Sequence, residues 1–434
     1  MRETTELKRS LRLFDGLTMV VGVVVGAGIF RTPGIIAAQL GRPWLTFVAW
    51  VLGGALAFLG ALIFAELATR LPRAGGKYVY AREAFGPRAA FVIGVVEGLV
   101  LYPAAIAAIG VAAGEFFVRL AGWPSGGLLE RLLGPAFVIA FTAINLIGVA
   151  AGRWVQNVVT TAKILALGGV VVIAFAAGDG VGWSGTLPNA PQGLALLGAL
   201  AVASQAVIWT YYGYVEAAKI AEEVVEPERT LPRVFLLGIA IVTGLYLLLN
   251  AAFLHVLPFD HIAASKLVAG DAAAAIFGTN GNLVITILAL LVVLASLNGN
   301  VFVTPRVLFG LARDGLAPAV LARVNAGGTP GPAMIVVCLV AVGLAATGQF
   351  GTLLSLAILI VWVIDGFSVA ALFRLRARQP DAPFRAPFYP YLPAFFILVY
   401  AVLFVGSAIA QPRVALATAA VLIGTWALSW TVKG

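Results

Sequence analysis

The sequence predicts an all-α membrane protein with twelve transmembrane helices. Of its 434 residues, 61% are hydrophobic and only 11% are charged, and the mean hydropathy is +1.02. A water-soluble protein of this length would need much more polar surface. Apolar runs that reach the roughly 17 to 25 residues needed to cross a bilayer recur along the whole chain. We therefore expect a single transmembrane domain over residues 1–434, without a separately folded loop domain.

The predicted spans are separated by short polar loops. Their approximate limits are 14–38, 43–69, 88–118, 132–151, 154–177, 193–221, 231–256, 277–308, 332–348, 352–373, 389–409 and 414–431. The first run follows a charged segment and lacks a small-residue cleavage site. We interpret it as a span rather than as a removed signal peptide.

The distribution of basic residues predicts the orientation of these spans. Of the 28 Lys and Arg residues, 20 fall on the side of the two termini and six on the opposite side. The remaining two, Lys163 and Lys219, lie within spans. Because cytoplasmic loops carry the excess of positive charge, we expect a multi-pass protein of the cell (plasma) membrane with both termini in the cytoplasm. The net charge of +9 is dispersed over loops, which favours this topological role over nucleic-acid binding.

Several other functions leave no trace in the sequence. There is no GxxxxGK[ST] phosphate loop, so we do not expect the chain to carry its own ATPase. Two histidines, His255 and His261, and one cysteine, Cys338, are too few to suggest a metal centre. No nucleophile stands with a base in a polar cluster. We therefore predict no cofactor, no metal and no enzyme activity.

Two spans are weakened at their centres. The first reads GLTMVVGVVVGAGIFRTPG and places Gly22, Gly26 and Gly28 in mid-membrane. The sixth changes from an apolar run to the segment WTYYG at 209–213. Spans one and six are five helices apart, a pattern typical of an inverted repeat of five plus five spans with a binding site at two broken helices. We predict a first repeat over 14–177, a second over 193–376 and two extra C-terminal helices within 389–432.

A broken helix exposes main-chain groups that can bind a ligand. The break frees N–H groups at the start of the second half and carbonyls at the end of the first. Within a membrane such groups are tolerated only around a cavity. A helix N-terminus attracts a carboxylate and a C-terminus attracts an ammonium, so one break can hold both ends of a zwitterionic amino acid. The alternative is that Gly22 and Gly26 form a GxxxG helix-packing motif, although Gly28 favours close backbone approach to a ligand.

Four stretches resemble the amino acid–polyamine–organocation (APC) family of transporters, and within it the L-amino-acid transporter-like branch. They are GVVVGAGIFRTPG in span one, AELATRLPRAGGKYVYAREAFGP after span two, WTYYGYVEAAKIAEEVVEPERTLPR from span six and LASLNGNVFVTPRVLFGLARDGLAP from span eight. The resemblance runs from about residue 10 to about residue 390. It implies the LeuT-like five-plus-five fold with two further helices, and secondary active transport of amino acids.

The resemblance also implies a substrate site at the two breaks. The N–H groups of Ala27, Gly28 and Ile29 would bind the substrate carboxylate. The carbonyls of Val24, Trp209 and Tyr212 would bind its α-ammonium, and the Trp209 ring would close over it. Gly26, Thr210 and Gly213 complete the predicted site.

Three positions depart from the family pattern. Ala27 stands where many relatives have Ser, Val215 where they have Asn or Asp, and Tyr212 where they have Gly or a modest side chain. These differences leave the identity of the substrate open.

Charged residues inside the spans are the remaining candidates. A lysine in mid-membrane costs roughly 2.5 to 3.5 kcal/mol on insertion scales, which makes Lys163 a functional candidate. By resemblance, it stands where sodium-independent relatives carry a lysine in a cation site. We expect it to couple transport by bridging the Gly22 carbonyl and span eight near Ser296. Glu97 and Asp365 have no evident partner in the sequence, and each is a possible proton or cation site.

Other acidic residues lie in and after span six. Glu216 and Lys219 are three residues apart, and we expect them to neutralise each other. Glu222, Glu223, Glu226 and Glu228 are expected to form a solvated gate network at the cytoplasmic mouth.

The expected function is sodium-independent secondary active transport of neutral L-amino acids by alternating access, through proton symport or through exchange. One alternative is transport of a cationic amino acid or a polyamine. A further alternative is a non-transporting amino acid sensor. The expected partners are the amino acid substrate, protons and the lipid bilayer. No cysteine lies between spans three and four, so no disulfide-linked heavy chain is expected.

Overall fold

The computed structural model describes residues 6–346 and 350–431, and its regular secondary structure there is helical. In the first half of the chain the α-helices are α1 (Leu13–Val24), α2 (Gly28–Leu40), α3 (Pro43–Arg70), α4 (Lys77–Phe85), α5 (Pro87–Val96), α6 (Tyr102–Leu120), α7 (Leu128–Ile147) and α8 (Val149–Ala177). A π-helical turn, Glu97–Leu101, joins α5 to α6, and a 3-10 turn spans Val181–Trp183.

The second half of the chain is also helical. Its α-helices are α9 (Gly193–Tyr211), α10 (Pro227–Val256), α11 (Phe259–Ala264), α12 (Val268–Phe277), α13 (Gly281–Val303), α14 (Pro305–Arg313), α15 (Gly331–Ala346), α16 (Phe350–Arg378), α17 (Tyr391–Ala410) and α18 (Pro412–Leu428). The 3-10 segments are Tyr214–Glu223, Gly278–Asn280, Ala319–Ala322 and Ser429–Thr431.

The prediction of an all-α membrane fold is confirmed. Among the described residues, ten helical units are long and apolar enough to cross a membrane, and counting α1 with α2 as one bent span gives eleven. The helix α15 is apolar but shorter. The exact count of twelve spans and the inverted repeat stay predictions. The predicted ends at residues 348 and 432 lie outside the described residues.

The boundary between the fourth and fifth predicted spans is misplaced. The predicted spans end at 151 and begin at 154, whereas α7 ends at Ile147 and α8 begins at Val149. Between them Gly148 has a φ of 156°, and a Cβ there would lie 2.9 Å from the Cα of Gly327. This close backbone approach ends the helix, so Arg153 lies inside α8 instead of in a loop.

Short helices appear where loops were predicted, and α4 is the most important of them. It begins after two glycines, Gly75 and Gly76, whose φ angles of 115° and 61° turn the chain back into the protein. Most of α4 is buried, including Lys77 and Tyr80. The loop after the second span therefore contributes to the interior.

The helix α1 lies at the centre of the bundle. It packs against α8, α10, α13 and the 3-10 helix that follows α9, and most of its residues are buried. The segment before α1 also pairs with the end of that 3-10 helix. The N–H groups of Ser10 and Leu11 donate to the Glu223 carbonyl at 2.8 and 2.9 Å, and Val225 N–H donates to the Leu11 carbonyl at 2.9 Å.

Candidate functional site

The first predicted break is confirmed. The axes of α1 and α2 differ by 49°, and residues 25–27 connect the two helices. Within this connection, Gly26 N–H donates to the Val24 carbonyl at 2.8 Å. The last carbonyls of α1 and the first N–H groups of α2 have no partners within their own helices. Because α1 lies inside the bundle, these groups face protein and cavity instead of lipid.

The glycines of the first break have different roles. A Cβ on Gly22 would lie 1.9 Å from Nε2 of Gln156, so this glycine allows close packing of α1 and α8. A Cβ on Gly26 would meet its nearest neighbour, Oγ of Ser296, only at 4.0 Å. Gly28 also has ordinary van der Waals space around it. The packing interpretation therefore holds for Gly22, whereas neither Gly26 nor Gly28 is tightly packed.

The second predicted break is also confirmed. The helix α9 ends at Tyr211, Tyr212 is extended, and Gly213 has a φ of 123° that favours glycine. The chain then continues as the 3-10 helix Tyr214–Glu223. Because 3-10 side chains three residues apart eclipse one another, Glu216 and Lys219 meet in a buried ion pair. Their predicted mutual neutralisation is confirmed.

A cavity of about 240 Å³ lies between the two breaks. It is lined by eight of the predicted substrate-site residues: Val24, Gly26, Ala27, Gly28, Trp209, Thr210, Tyr212 and Gly213. Ile29, the ninth, is buried and does not line it. The cavity is small beside the usual 300 to 1,000 Å³ of ligand pockets, so it suits a small ligand.

The walls of the cavity include residues that the sequence analysis did not identify. From α6 come Ala105, Ala108, Ile109 and Ala112, and from α13 come Val293, Ser296 and Asn300. Of these residues, only Ser296 was predicted, as a coupling residue beside Lys163 and not as part of the substrate site. The α6 residues follow the i, i+3, i+4, i+7 spacing of one helix face. This spacing is the sequence pattern from which they could have been predicted to lie together.

Tyr246 of α10 connects the two breaks. Its hydroxyl oxygen lies 3.0 Å from the Val24 carbonyl oxygen and 3.1 Å from that of Thr210. A tyrosine has one hydroxyl proton, so it donates to one of these carbonyls at a time. Tyr246 was not among the predicted site residues, although a buried tyrosine hydroxyl usually needs a partner.

Lys163 lies at the carbonyl end of α1. Its buried Nζ donates to the carbonyls of Gly22 at 3.0 Å and Val25 at 2.8 Å. Ser296 Oγ also donates to the Gly22 carbonyl at 3.0 Å. The negative end of the helix dipole lies here. The Lys163 ammonium therefore lies where a cation would otherwise bind. It contacts the Gly22 carbonyl, as the sequence predicts.

Glu97 and Asp365 lie behind the cavity and share a partner, Lys77 of α4. The Lys77 Nζ is 2.7 Å from Oδ1 of Asp365 and 3.2 Å from Oε1 of Glu97. It also lies 2.9 Å from the hydroxyl oxygen of Tyr212. Neither acid lines the cavity. No partner was predicted for either acid, because Lys77 was expected to lie in a loop.

The acidic residues at the end of the 3-10 helix differ from expectation. Glu223 is fully buried and forms a bidentate ion pair with Arg306, with N···O distances of 2.8 and 3.1 Å. Glu222 pairs with Arg313 at 2.6 Å. The expectation of a solvated network is wrong for Glu223, because α14 packs against the helix and covers its carboxylate.

The geometry defines a class of protein. Main-chain groups at two helix breaks border a small cavity in a bundle of apolar helices, as in secondary transporters. The sequence profile of the amino acid permease family matches residues 11–432. The chain therefore belongs to that family, within the L-amino-acid transporter-like branch of the amino acid–polyamine–organocation superfamily.

Individual relatives agree with this assignment. The chain is 30% identical over 412 residues to a serine/threonine exchanger of Bacillus subtilis (strain 168), an alignment that covers 91% of this chain and 92% of that protein. It is 28% identical over 422 residues to the b(0,+)-type amino acid transporter 1 of Mus musculus, with 94% and 85% covered. It is 30% identical over 409 residues to the cystine/glutamate transporter of Homo sapiens, with 91% and 79% covered. The protein is an amino acid transporter of the membrane and not an enzyme.

Proposed function

We propose that the chain is a sodium-independent exchanger of small neutral L-amino acids that works by alternating access. The observation that carries this proposal is the position of Lys163. Its ammonium donates to the Gly22 and Val25 carbonyls, where a coupling metal cation would need oxygen ligands. A positive charge that belongs to the chain makes sodium unnecessary at this point.

The two breaks supply complementary ends for a zwitterion. We place the substrate carboxylate on the N–H groups of Ala27 and Gly28, which line the cavity at the positive end of α2. We place the α-ammonium at the negative end of α9, on the carbonyls of Trp209 and Tyr212.

Two of the three predicted ammonium ligands are partly occupied. The Trp209 carbonyl accepts a hydrogen bond from Tyr212 N–H at 3.1 Å. The Val24 carbonyl already accepts a hydrogen bond from Gly26 N–H and lies within reach of Tyr246. The substrate ammonium would therefore compete with the Tyr246 hydroxyl for this oxygen.

The side-chain end of the cavity favours a small substrate. Its α6 wall is built mainly from alanines, and Thr210, Asn300 and Glu216 line other sides. Glu216 is already paired with Lys219. Such a space accommodates alanine, serine or threonine better than a long cationic side chain. The relative named as a serine/threonine exchanger supports the same substrate class and the exchange mode.

Transport of labelled L-serine into proteoliposomes tests the proposal. Uptake should require internal serine or alanine, should not change when sodium is replaced by choline, and should not be inhibited by excess arginine. Proton symport is the second candidate, favoured because the buried Lys163 amine can exchange a proton; it requires a pH gradient instead of internal substrate. Binding of serine without uptake would indicate a sensor, and strong inhibition by arginine would indicate a cationic substrate.

The proposed orientation places both termini in the cytoplasm. The chain has one cysteine, Cys338, so a Cys338→Ser variant provides a background for single reporter cysteines. Cysteines introduced near either terminus should be protected from an impermeant thiol reagent in intact cells and should react after lysis. Labelling in intact cells would reverse the assignment.

A further inference from the structure

A second group of charges lies beside the substrate cavity and has no part in the function proposed above. It contains Lys77, Glu97, Glu216, Lys219 and Asp365, which are at most 2% exposed. These residues come from α4, the π-helical turn, the 3-10 helix and α16. The tyrosines that face the group are Tyr80, Tyr102, Tyr212, Tyr214 and Tyr400.

The group has one acid too many. Three carboxyl groups share two ammonium groups, so full ionisation would leave one uncompensated negative charge in the interior. A buried charge without a counter-charge costs several kcal/mol. Elsewhere in the described chain, the buried carboxylates of Glu66 and Glu223 each have an arginine partner. The cluster beside the cavity therefore needs one more positive charge.

Hydrogen bonding indicates where that charge belongs. Glu216 pairs with Lys219 and accepts a hydrogen bond from the Tyr102 hydroxyl at 2.5 Å. Asp365 has Lys77 at 2.7 Å and accepts from the Tyr212 hydroxyl at 3.3 Å. Neither oxygen of Glu97 accepts a well-formed hydrogen bond, whereas Asp365 leaves only Oδ2 without one. The ion-pair partner of Glu97, Lys77, also serves Asp365. An ionised carboxylate only accepts hydrogen bonds, at both oxygens, whereas a carboxylic acid carries one O–H donor and accepts at fewer sites.

We propose that Glu97 binds one proton and that the Lys77–Glu97–Asp365 cluster is a proton-binding site of the transporter, separate from Lys163. The reaction is the reversible loss of H⁺ from the Glu97 carboxylic acid to water, which leaves a carboxylate. The Glu97 and Asp365 carboxyl groups are buried and already contact the Lys77 ammonium, so a proton fits the site better than a larger cation. Proton binding makes the five-residue cluster electrically neutral.

This site is linked to the cavity through Lys77. Its ammonium contacts the Tyr212 hydroxyl at 2.9 Å and the Tyr102 hydroxyl at 3.3 Å, and both tyrosines line the cavity. Loss of the proton creates a full negative charge on Glu97 beside this ammonium. Lys77 is then drawn towards Glu97 and away from Tyr212, at the second helix break. Substrate binding, if the cavity is the substrate site proposed above, therefore weakens when the proton leaves.

Infrared difference spectroscopy of the purified protein in detergent tests the site directly. The wild type at neutral pH should show the C=O stretching band of a protonated carboxyl group. The band should be lost in Glu97→Gln, shifted in frequency in Glu97→Asp and retained in Glu115→Gln, a control at an exposed position on the same span. It should also disappear in Asp365→Asn, because two carboxylates then match two ammonium groups. A band that persists in Glu97→Gln or in Asp365→Asn, or that is absent from the wild type, overturns the assignment.

A binding titration tests the link to the cavity. Serine affinity of the wild type and of Glu115→Gln should fall about fivefold or more from mildly acidic to mildly alkaline pH, which is within the usual range of coupling between sites. Glu97→Gln imitates the protonated acid and should show a smaller fall. A Glu97→Gln profile parallel to the wild type overturns the link. If the wild type binds no serine, the proposed substrate has failed, while the infrared result still decides whether Glu97 is protonated.

Discussion

Replacing Lys163 with alanine removes the ammonium from the carbonyl end of α1. Ser296 Oγ lies 3.0 Å from the Gly22 carbonyl oxygen, so that carbonyl keeps a donor. The Val25 carbonyl loses its 2.8 Å partner and has Ser296 only at 3.4 Å. One hydrogen bond to a charged group is worth about 1.5 to 3 kcal/mol. Since 1.4 kcal/mol is a factor of ten, we expect serine exchange to fall by about 10- to 150-fold.

The assay is counterflow of labelled serine in proteoliposomes containing equal amounts of folded protein. Lys266→Ala is a matched control, because Lys266 is an exposed lysine outside the bundle centre. Methylammonium fits the space that the truncation leaves and should restore part of the activity of Lys163→Ala without changing that of Lys266→Ala. If Lys163→Ala exchanges serine at the wild-type rate with unchanged pH dependence, the coupling role of this residue is refuted.

Three further predictions concern the two helix breaks and the Glu223–Arg306 ion pair. Gly26→Val should fold normally but lose about tenfold or more in serine affinity. Gly22→Ala should instead lose about 1 to 3 kcal/mol of stability through overpacking. Equal unfolding temperatures of the two variants would contradict this distinction. Trp209→Ala removes the ring that stacks on the neighbouring tyrosine at 5.8 Å, and it should weaken serine binding in a thermal-shift titration without lowering the unfolding temperature of the ligand-free protein. Arg306→Met leaves Glu223 buried without its partner and should cost about 3 to 5 kcal/mol. Adding Glu223→Met should recover most of that loss, and a single variant as stable as the wild type would show that the pair is not needed.

Both helix breaks were predictable because their causes are local. Gly26 and Gly28 interrupt an apolar run, and the WTYYG segment changes the character of the sixth span within a few residues. The conformation of the sixth span after its break was harder to predict from the sequence. Whether residues after Gly213 form an α- or a 3-10 helix depends on how Glu216 and Lys219 pack against other spans, which the local pattern does not contain.

The charged cluster was only partly predictable for the same reason. Glu97 and Asp365 were recognisable as candidates because burying an acid inside an apolar span costs free energy. Their partner, Lys77, was not recognisable. Lys77 belongs to a polar stretch between two spans, and only the turn at Gly75 and Gly76 brings it inside. Contacts such as Lys77 with Asp365 join residues hundreds of positions apart, so they follow from the packing of the helices and not from any local sequence pattern.

The covalent attachment of the Lys163 charge has an electrical consequence for the proposed exchange. Moving one elementary charge across a membrane is worth about 2.3 kcal/mol per 100 mV, so a carrier that takes up sodium draws on the membrane voltage. Here the positive charge at the first break is part of the chain and remains with it when the substrate leaves. A one-for-one swap of zwitterions then moves no net charge. The direction of flux is set by the concentration ratios of the two amino acids, and depolarising the membrane leaves it unchanged.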